Sequence, residues 1–422
     1  MIYQSASASA LSRISCAVFA AFLLAAVARP VFAQSLSAPP GEQELGATLD
    51  ETSSPLPASP PTTLRFGTSL AIEGRTLLIG MPAYSEMSRD APPNAGGRVA
   101  VFSLSVANRW LRSGTIDPAV HTPDDQFGRR VALGGRLALV ASLSGVFVFE
   151  RRNAAWHQIA KLTPTAHEHY DGGLAVSNGS LLIGVSVDDA PGRVYAFAQD
   201  RHGDLHRTQQ LRAFPAEESD EFGRSLAASH GTLVVGAPGF SEGQGAAFVY
   251  QQFGHRWAVY RRLAPTDQPA PTLGAVSFGA AVDISRGLIA VGAPGADRYD
   301  SHGECEFTPS GAAYVFSQRG WRWSLDRKVG SPDACAFDFA QTVAISHDYL
   351  AAGSPSAFPG LVKGAHVYQR IDDTYTLRYE VFKSEVGLPP VVLDGSHLVV
   401  GFPGDRFFST GFADAYDLAE AP

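Results

Sequence analysis

Four carboxylates crowd one short stretch of this chain. Residues 295–306 read Gly-Ala-Asp-Arg-Tyr-Asp-Ser-His-Gly-Glu-Cys-Glu, which gathers Asp297, Asp300, Glu304 and Glu306 where a cation or a basic partner could meet them. A calcium loop of the twelve-residue kind needs Gly at its sixth place, and here that place holds Asp300. The four acids are therefore candidate binding residues, with no metal or cofactor assigned to them. Cys305 lies within the same stretch and Cys335 follows it, while Cys16 belongs to the apolar N-terminus. An even pair in an exported chain reads first as a disulfide. His167 and His169 flank Glu168 as His-x-His, a zinc-like fragment with no third ligand, which is read as a surface turn. No G-x-S-x-G, H-E-x-x-H or phosphate-binding loop occurs, so no catalytic residue is nominated.

These residues sit between the elements of a repeat. An aromatic-small pair recurs as Phe66-Gly67, Phe127-Gly128, Tyr170-Asp171, Phe222-Gly223, Phe278-Gly279, Phe339-Ala340 and, in weakest form, Val386-Gly387. Thirteen residues after the second member an apolar run closes on Gly80, Ala141, Gly184, Gly236, Gly292 or Gly353, with Gly401 one residue later in its copy. Pro82, Pro238, Pro294, Pro355 and Pro403 follow two places on. Each copy holds four short runs rich in β-branched and aromatic residues, separated by turn residues such as Asn178-Gly179 and His230-Gly231. Trp110, Trp156, Trp257 and Trp323 recur at the start of the fourth run and are read as packing between copies.

The mean spacing of about 53 residues suits a propeller blade with generous loops. The expected fold is all-β: a seven-bladed β-propeller of four-stranded antiparallel blades. The seventh copy ends after its third run at Leu418, so a strand near Leu45, within 43–50, is expected to close the last blade.

Composition agrees with a turn-rich globular chain: 422 residues, 45% hydrophobic and 18% charged, with 42 Gly and 28 Pro. The formal net charge of −8 excludes a surface that must replace counterions on phosphate, so nucleic acid is not a partner. Residues 1–33 read as a secretory signal, with Arg13 ahead of an apolar run too short for a comfortable span and Val31-Phe32-Ala33 as the cleavage site. Its removal takes away Arg13 and Arg29, moves the charge from −8 to −10 and leaves 34–422 as one propeller with no membrane span.

The Phe-Gly and Gly-Ala-Pro elements resemble the FG-GAP repeat family, known from the propeller heads of integrin α subunits. The resemblance covers 43–418 and is tightest from Phe222 to Trp257, which is similar to the bacterial branch. It implies that the small residues shape the hub. Calcium loops between the first two strands, frequent in the integrin type, do not carry over, because turns such as Ser285-Arg286-Gly287 are short and poor in acids. The acids before each pair (Asp124, Asp125, Glu168, Glu217, Glu218, Asp220, Glu221, Asp267, Asp333 and Glu385) converge on one rim, to bind a cationic ligand or to cap turns. The expected role is a secreted or periplasmic, monomeric interaction scaffold recognising a protein or a glycan through loops on one face. The alternative is a polysaccharide hydrolase or lyase with its site at the hub.

Overall fold

A computed structural model describes residues 48–49, 63–84, 96–120, 122, 125–267, 275–296, 310–332, 338–354, 363–383, 388–403 and 411–419. Seven antiparallel sheets follow one another along the chain. The first strands of blades one to seven are Ser69–Glu73, Arg130–Gly134, Leu174–Ser177, Ser225–Ser229, Ala281–Ser285, Thr342–Ile345 and Val391–Asp394. Each touches the next, and Val391–Asp394 returns to Ser69–Glu73, so these strands form the hub. Among the described residues the one helix is the four-residue Phe240–Gly243.

Blade four shows the plan. Ser225–Ser229, Thr232–Ala237, Ala246–Phe253 and Arg256–Leu263 pair in that order, each antiparallel to the last. The link between the first two is His230-Gly231, with φ of +49° and +78°, the conformation of a two-residue hairpin whose twist matches its strands. The third and fourth strands slip register by one residue at Val249/Tyr250. The same slip recurs at the matching aromatic in blades one, two, three, five and six, which strengthens the blade's twist.

The repeat motif explains the packing. Phe222 is 1% exposed and meets Phe248 and Tyr250 of its own third strand edge-on, with centroids 5.5 and 6.3 Å apart. Phe66, Phe127, Tyr170, Phe278 and Phe339 repeat this arrangement. Each such burial stabilises by roughly 1.5–3 kcal/mol. The following glycine faces both ways. Gly279 (φ +95°) donates its N–H to Gly292 O of its own blade at 2.9 Å, while its carbonyl meets Gly236 of blade four so closely that a Cβ there would lie 2.0 Å away. Ser225 Oγ donates to the same carbonyl at 2.8 Å. Trp257 and Trp323 pack against side chains of the preceding blade, as the repeat predicts.

Blade three departs from the sequence register. Asp171 stands in the glycine place, yet it is Gly172 whose N–H reaches Gly184 O, at 3.2 Å, and Gly173 N that reaches the carbonyl of Gly223, at 2.9 Å. Glycines replace the missing hydroxyl there. At the seam between blades seven and one, a Cβ on Gly401 would lie 2.2 Å from Gly67 O, and Gly74 N donates to Asp394. His397 and Asn108 bond across it at 2.8 Å. Thr48–Leu49 pair antiparallel with Asp414 and Ala413 on the outer edge of the seventh sheet; residues 43–47 and 50 lie outside the described residues. No helix among the described residues is long and apolar enough to cross a membrane.

Two outcomes are expected in chemical denaturation of the full chain. Gly236→Ala should cost about 3 kcal/mol through overpacking against backbone, whereas Gly114→Ala, which meets open space, should change stability by less than about 0.5 kcal/mol. Deleting 43–50 should leave the circular dichroism spectrum β-rich but lower the midpoint and promote self-association through the exposed edge at Phe412–Asp417. An unchanged midpoint would mean that this strand contributes nothing to closure.

Candidate functional site

The rim acids lie where the fourth strand of one blade leads into the next, and five of the seven among the described residues are occupied by the fold. Asp125 accepts from Ser144 N and Ser144 Oγ, both at 2.7 Å, which fixes the hairpin of its own blade. Asp220 is fully buried and accepts from Phe222 N at 2.9 Å, Gly192 N at 3.0 Å and Glu217 N at 3.3 Å. Burial pushes its pKa up despite those bonds. Glu217 accepts from Ser241 N at 2.6 Å, and Asp267 pairs with Lys328 Nζ at 2.6 Å.

Glu168 turns inward to Tyr195 OH, Thr165 Oγ1 and Arg193. Burial opposes its charge, but the Thr165 and Tyr195 hydrogen bonds and Arg193 outweigh it and hold the carboxyl below its usual range. Of the remaining sequence candidates, Asp297, Asp300, Glu304, Glu306, Cys305 and Cys335 lie outside the described residues, as do Asp124, Asp333 and Glu385. Asp200, Asp204 and His206 form an exposed group of metal-ligand type. The Asp200 carboxylate there already accepts from His202 N at 2.8 Å and Asp204 N at 3.0 Å.

The structure assembles a groove that the sequence reading did not select, on the opposite face, where first strands turn into second and third into fourth. Between blades four and five, His230, Gln251, Arg286, Gln318 and Trp323 line a cavity of about 320 Å³. A neighbouring cavity of about 310 Å³ between blades three and four shares His230 and Gln251 and adds Asn178, Gln252 and His255. His230 and Arg286 are placed by the positive φ of their hairpins, +49° and +45°. Trp323 is 1% exposed and its indole N–H has no acceptor in the protein. Amides, an imidazole and a guanidinium offer both donors and acceptors to a neutral polar ligand. The signal was present as Asn178-Gly179, His230-Gly231 and Arg286-Gly287, followed in two blades by Gln251 and Gln318 at the ends of third strands. Those turns were read only for their shape and their shortage of acids.

Comparison with known proteins finds the FG-GAP repeat family at residues 206–250. No curated protein matches the chain. Among solved structures the chain is similar to KlHsv2 with loop 6CD replaced by a Gly-Ser linker, at 12% identity over 83% of this chain and 92% of that one, with a TM-score of 0.48. It is also similar to a protein from Lactobacillus plantarum, at 13% identity over 75% and 88%, with a TM-score of 0.46.

The hub carries charge of its own. Arg130 lies near Asp171, the residue displaced in blade three, and burial together with Arg224 and Arg129 lowers its pKa to about 10. In blade five, Asp283 accepts from Ile284 N at 2.8 Å and from Ile345 N of blade six at 2.7 Å. Burial, opposed by those two bonds and aided by Asp394, raises its carboxyl to about 6. An unfolded aspartate is charged above about 4, so between roughly pH 4 and 6 the folded chain holds the extra proton. Stability from this group therefore rises as pH falls through that window, and the buried charge subtracts stability at neutral pH. Asp283→Asn should remove this increment, read as the difference in midpoint between pH 6.5 and 4.5 for the two chains. Parallel midpoints would show that Asp283 titrates at its ordinary value.

Proposed function

From the premise that the chain is an FG-GAP-repeat β-propeller, we propose that it is an exported interaction scaffold that holds a glycan in the turn-face groove of blades three to five. The carrying observation is the groove's chemistry: the His230 imidazole, the Gln251 amide and the Arg286 guanidinium line one cavity. Neutral sugars present hydroxyls that donate and accept, with apolar ring faces between them. Amide, imidazole and guanidinium groups of the groove meet those hydroxyls.

The ring of seven blades supplies rigidity, because every side chain lining the groove is carried by a hairpin or strand anchored at the hub. Little ordering is then needed on binding, which favours affinity from a modest cavity. The apolar N-terminal segment supports delivery outside the cytoplasm, and the acidic balance keeps nucleic acid away from the surface.

A glycan array probed with the mature chain tests this reading. Binding to a defined neutral oligosaccharide is expected, with Arg286→Ala and Gln251→Ala each weakening it about tenfold, the value of one to two hydrogen bonds. A chain that binds no glycan, or whose binding survives both substitutions unchanged, would overturn it.

A further inference from the structure

We propose that Arg129, Arg130 and Arg224 form a binding site for a phosphate dianion at the mouth of the hub, on the face opposite the groove and independent of it. Strand register assigns their places. Ser69, Arg130, Ser225 and Thr342 stand opposite Gly80, Ala141, Gly236 and Gly353 of their own second strands, so they are equivalent positions in blades one, two, four and six. In three of those blades the residue is a hydroxyl donor to a carbonyl of the next blade at 2.8 Å: Ser69 to Gly128, Ser225 to Gly279 and Thr342 to Pro389. Blade two carries a guanidinium at this place, whose side chain faces the blade ahead. Among the described residues the Arg130 side chain makes no hydrogen bond or ion pair in return, and neither do those of Arg129 and Arg224.

Blade three is built differently between them. Gly128 N and Gly223 N bond Ala141 O and Gly236 O, and Gly172 N bonds Gly184 O in the same way, while Gly184 N returns to Gly173 O. Gly172 thus takes the glycine place and Gly173, directly after it, the serine place. The residue that is Arg129 in blade two and Arg224 in blade four has no counterpart in blade three. Arg129 and Arg224 therefore flank a blade that offers only glycine at this level.

Both of these charges act on Arg130, and together with its burial they lower its pKa to about 10, which still leaves it a cation at neutral pH. Asp171 acts in the opposite sense but lies beyond ion-pair reach of Arg130. Three guanidiniums against this one carboxylate leave a surplus of two positive charges, in a chain whose formal balance is −8. A phosphate dianion matches that surplus, and its oxygens accept the forked N–H groups of guanidinium in pairs. Repulsion among the three cations becomes attraction toward a shared anion.

Calorimetric titration of the full chain with sodium phosphate at pH 7.5 in a chloride buffer tests the proposal. One phosphate per chain is expected, with acetate binding at least tenfold more weakly. Arg130→Gln and Arg224→Gln should each weaken phosphate binding at least tenfold, while Arg261→Gln, on the outer strand Arg256–Leu263 of blade four, leaves it unchanged. Arg224 is exposed, and an unaltered melting temperature without phosphate confirms that its variant is folded. Phosphate should raise the melting temperature of the parent and not of Arg224→Gln. Absence of saturable phosphate binding overturns the proposal, as does equal affinity for acetate. So does binding that survives Arg224→Gln or falls with Arg261→Gln.

Discussion

The contact between one blade's Phe-Gly carbonyl and the small residue of the blade before it governs this molecule. At Gly236 against Gly279, Gly292 against Ala340 and Gly401 against Gly67, the space where a Cβ would stand is filled by a neighbouring carbonyl oxygen. The same glycine binds its own blade through its N–H, so one residue couples folding within a blade to docking between blades. Positive φ, near +83° to +95° at Gly67, Gly128, Gly223 and Gly279, aims the two groups in opposite directions. Ala340 manages the turn at +65° and bears the strain of a Cβ there. Because the contact recurs at the seam, blades seven and one dock by the same rule as blades four and five.

This coupling makes the architecture legible in sequence. A contact that tolerates only small residues at fixed separation writes itself into the chain as a period, and the partners of each Phe are written as the aromatics of the third strand. Blade three shows the limit of such reading. Spacing alone assigns Asp171 to the glycine place, whereas the backbone advances by one residue and lets Gly172 and Gly173 make the contacts. A hydrogen bond made by a main-chain N–H leaves no side-chain signature, so the substitution of Gly173 N for a serine hydroxyl was invisible until the strands were placed.

The site was less legible than the fold for a related reason. Acids ahead of the Phe-Gly pair look like a binding rim when counted along the chain, yet Asp125, Glu217 and Asp220 are spent on N–H groups of adjoining loops. Their recurrence reflects the need to satisfy backbone donors at each passage between blades. The groove residues, by contrast, come from three consecutive blades, and only the docking of those blades sets His230 beside Arg286 on one side and Asn178 on the other. Chemistry distributed across repeats appears in sequence as ordinary turn composition.

Division of labour between the two faces follows from this accounting. On the face where blades join, Asp125, Glu217 and Asp220 are matched to backbone N–H groups and gain little from a ligand. On the face of two-residue hairpins the backbone closes on itself without help from side chains, since positive φ at His230-Gly231 and Arg286-Gly287 completes the turn. The Arg286 side chain is therefore not needed to complete its turn, whereas His230 Nδ1 also lies 2.8 Å from Ser229 Oγ within its own. Blade three follows the same accounting on the joining face: Glu168 is consumed inward by Tyr195, Thr165 and Arg193, and its neighbours His167 and His169 pair with Asp188. A rigid ring can in this way leave reactive groups only where its backbone needs none of them.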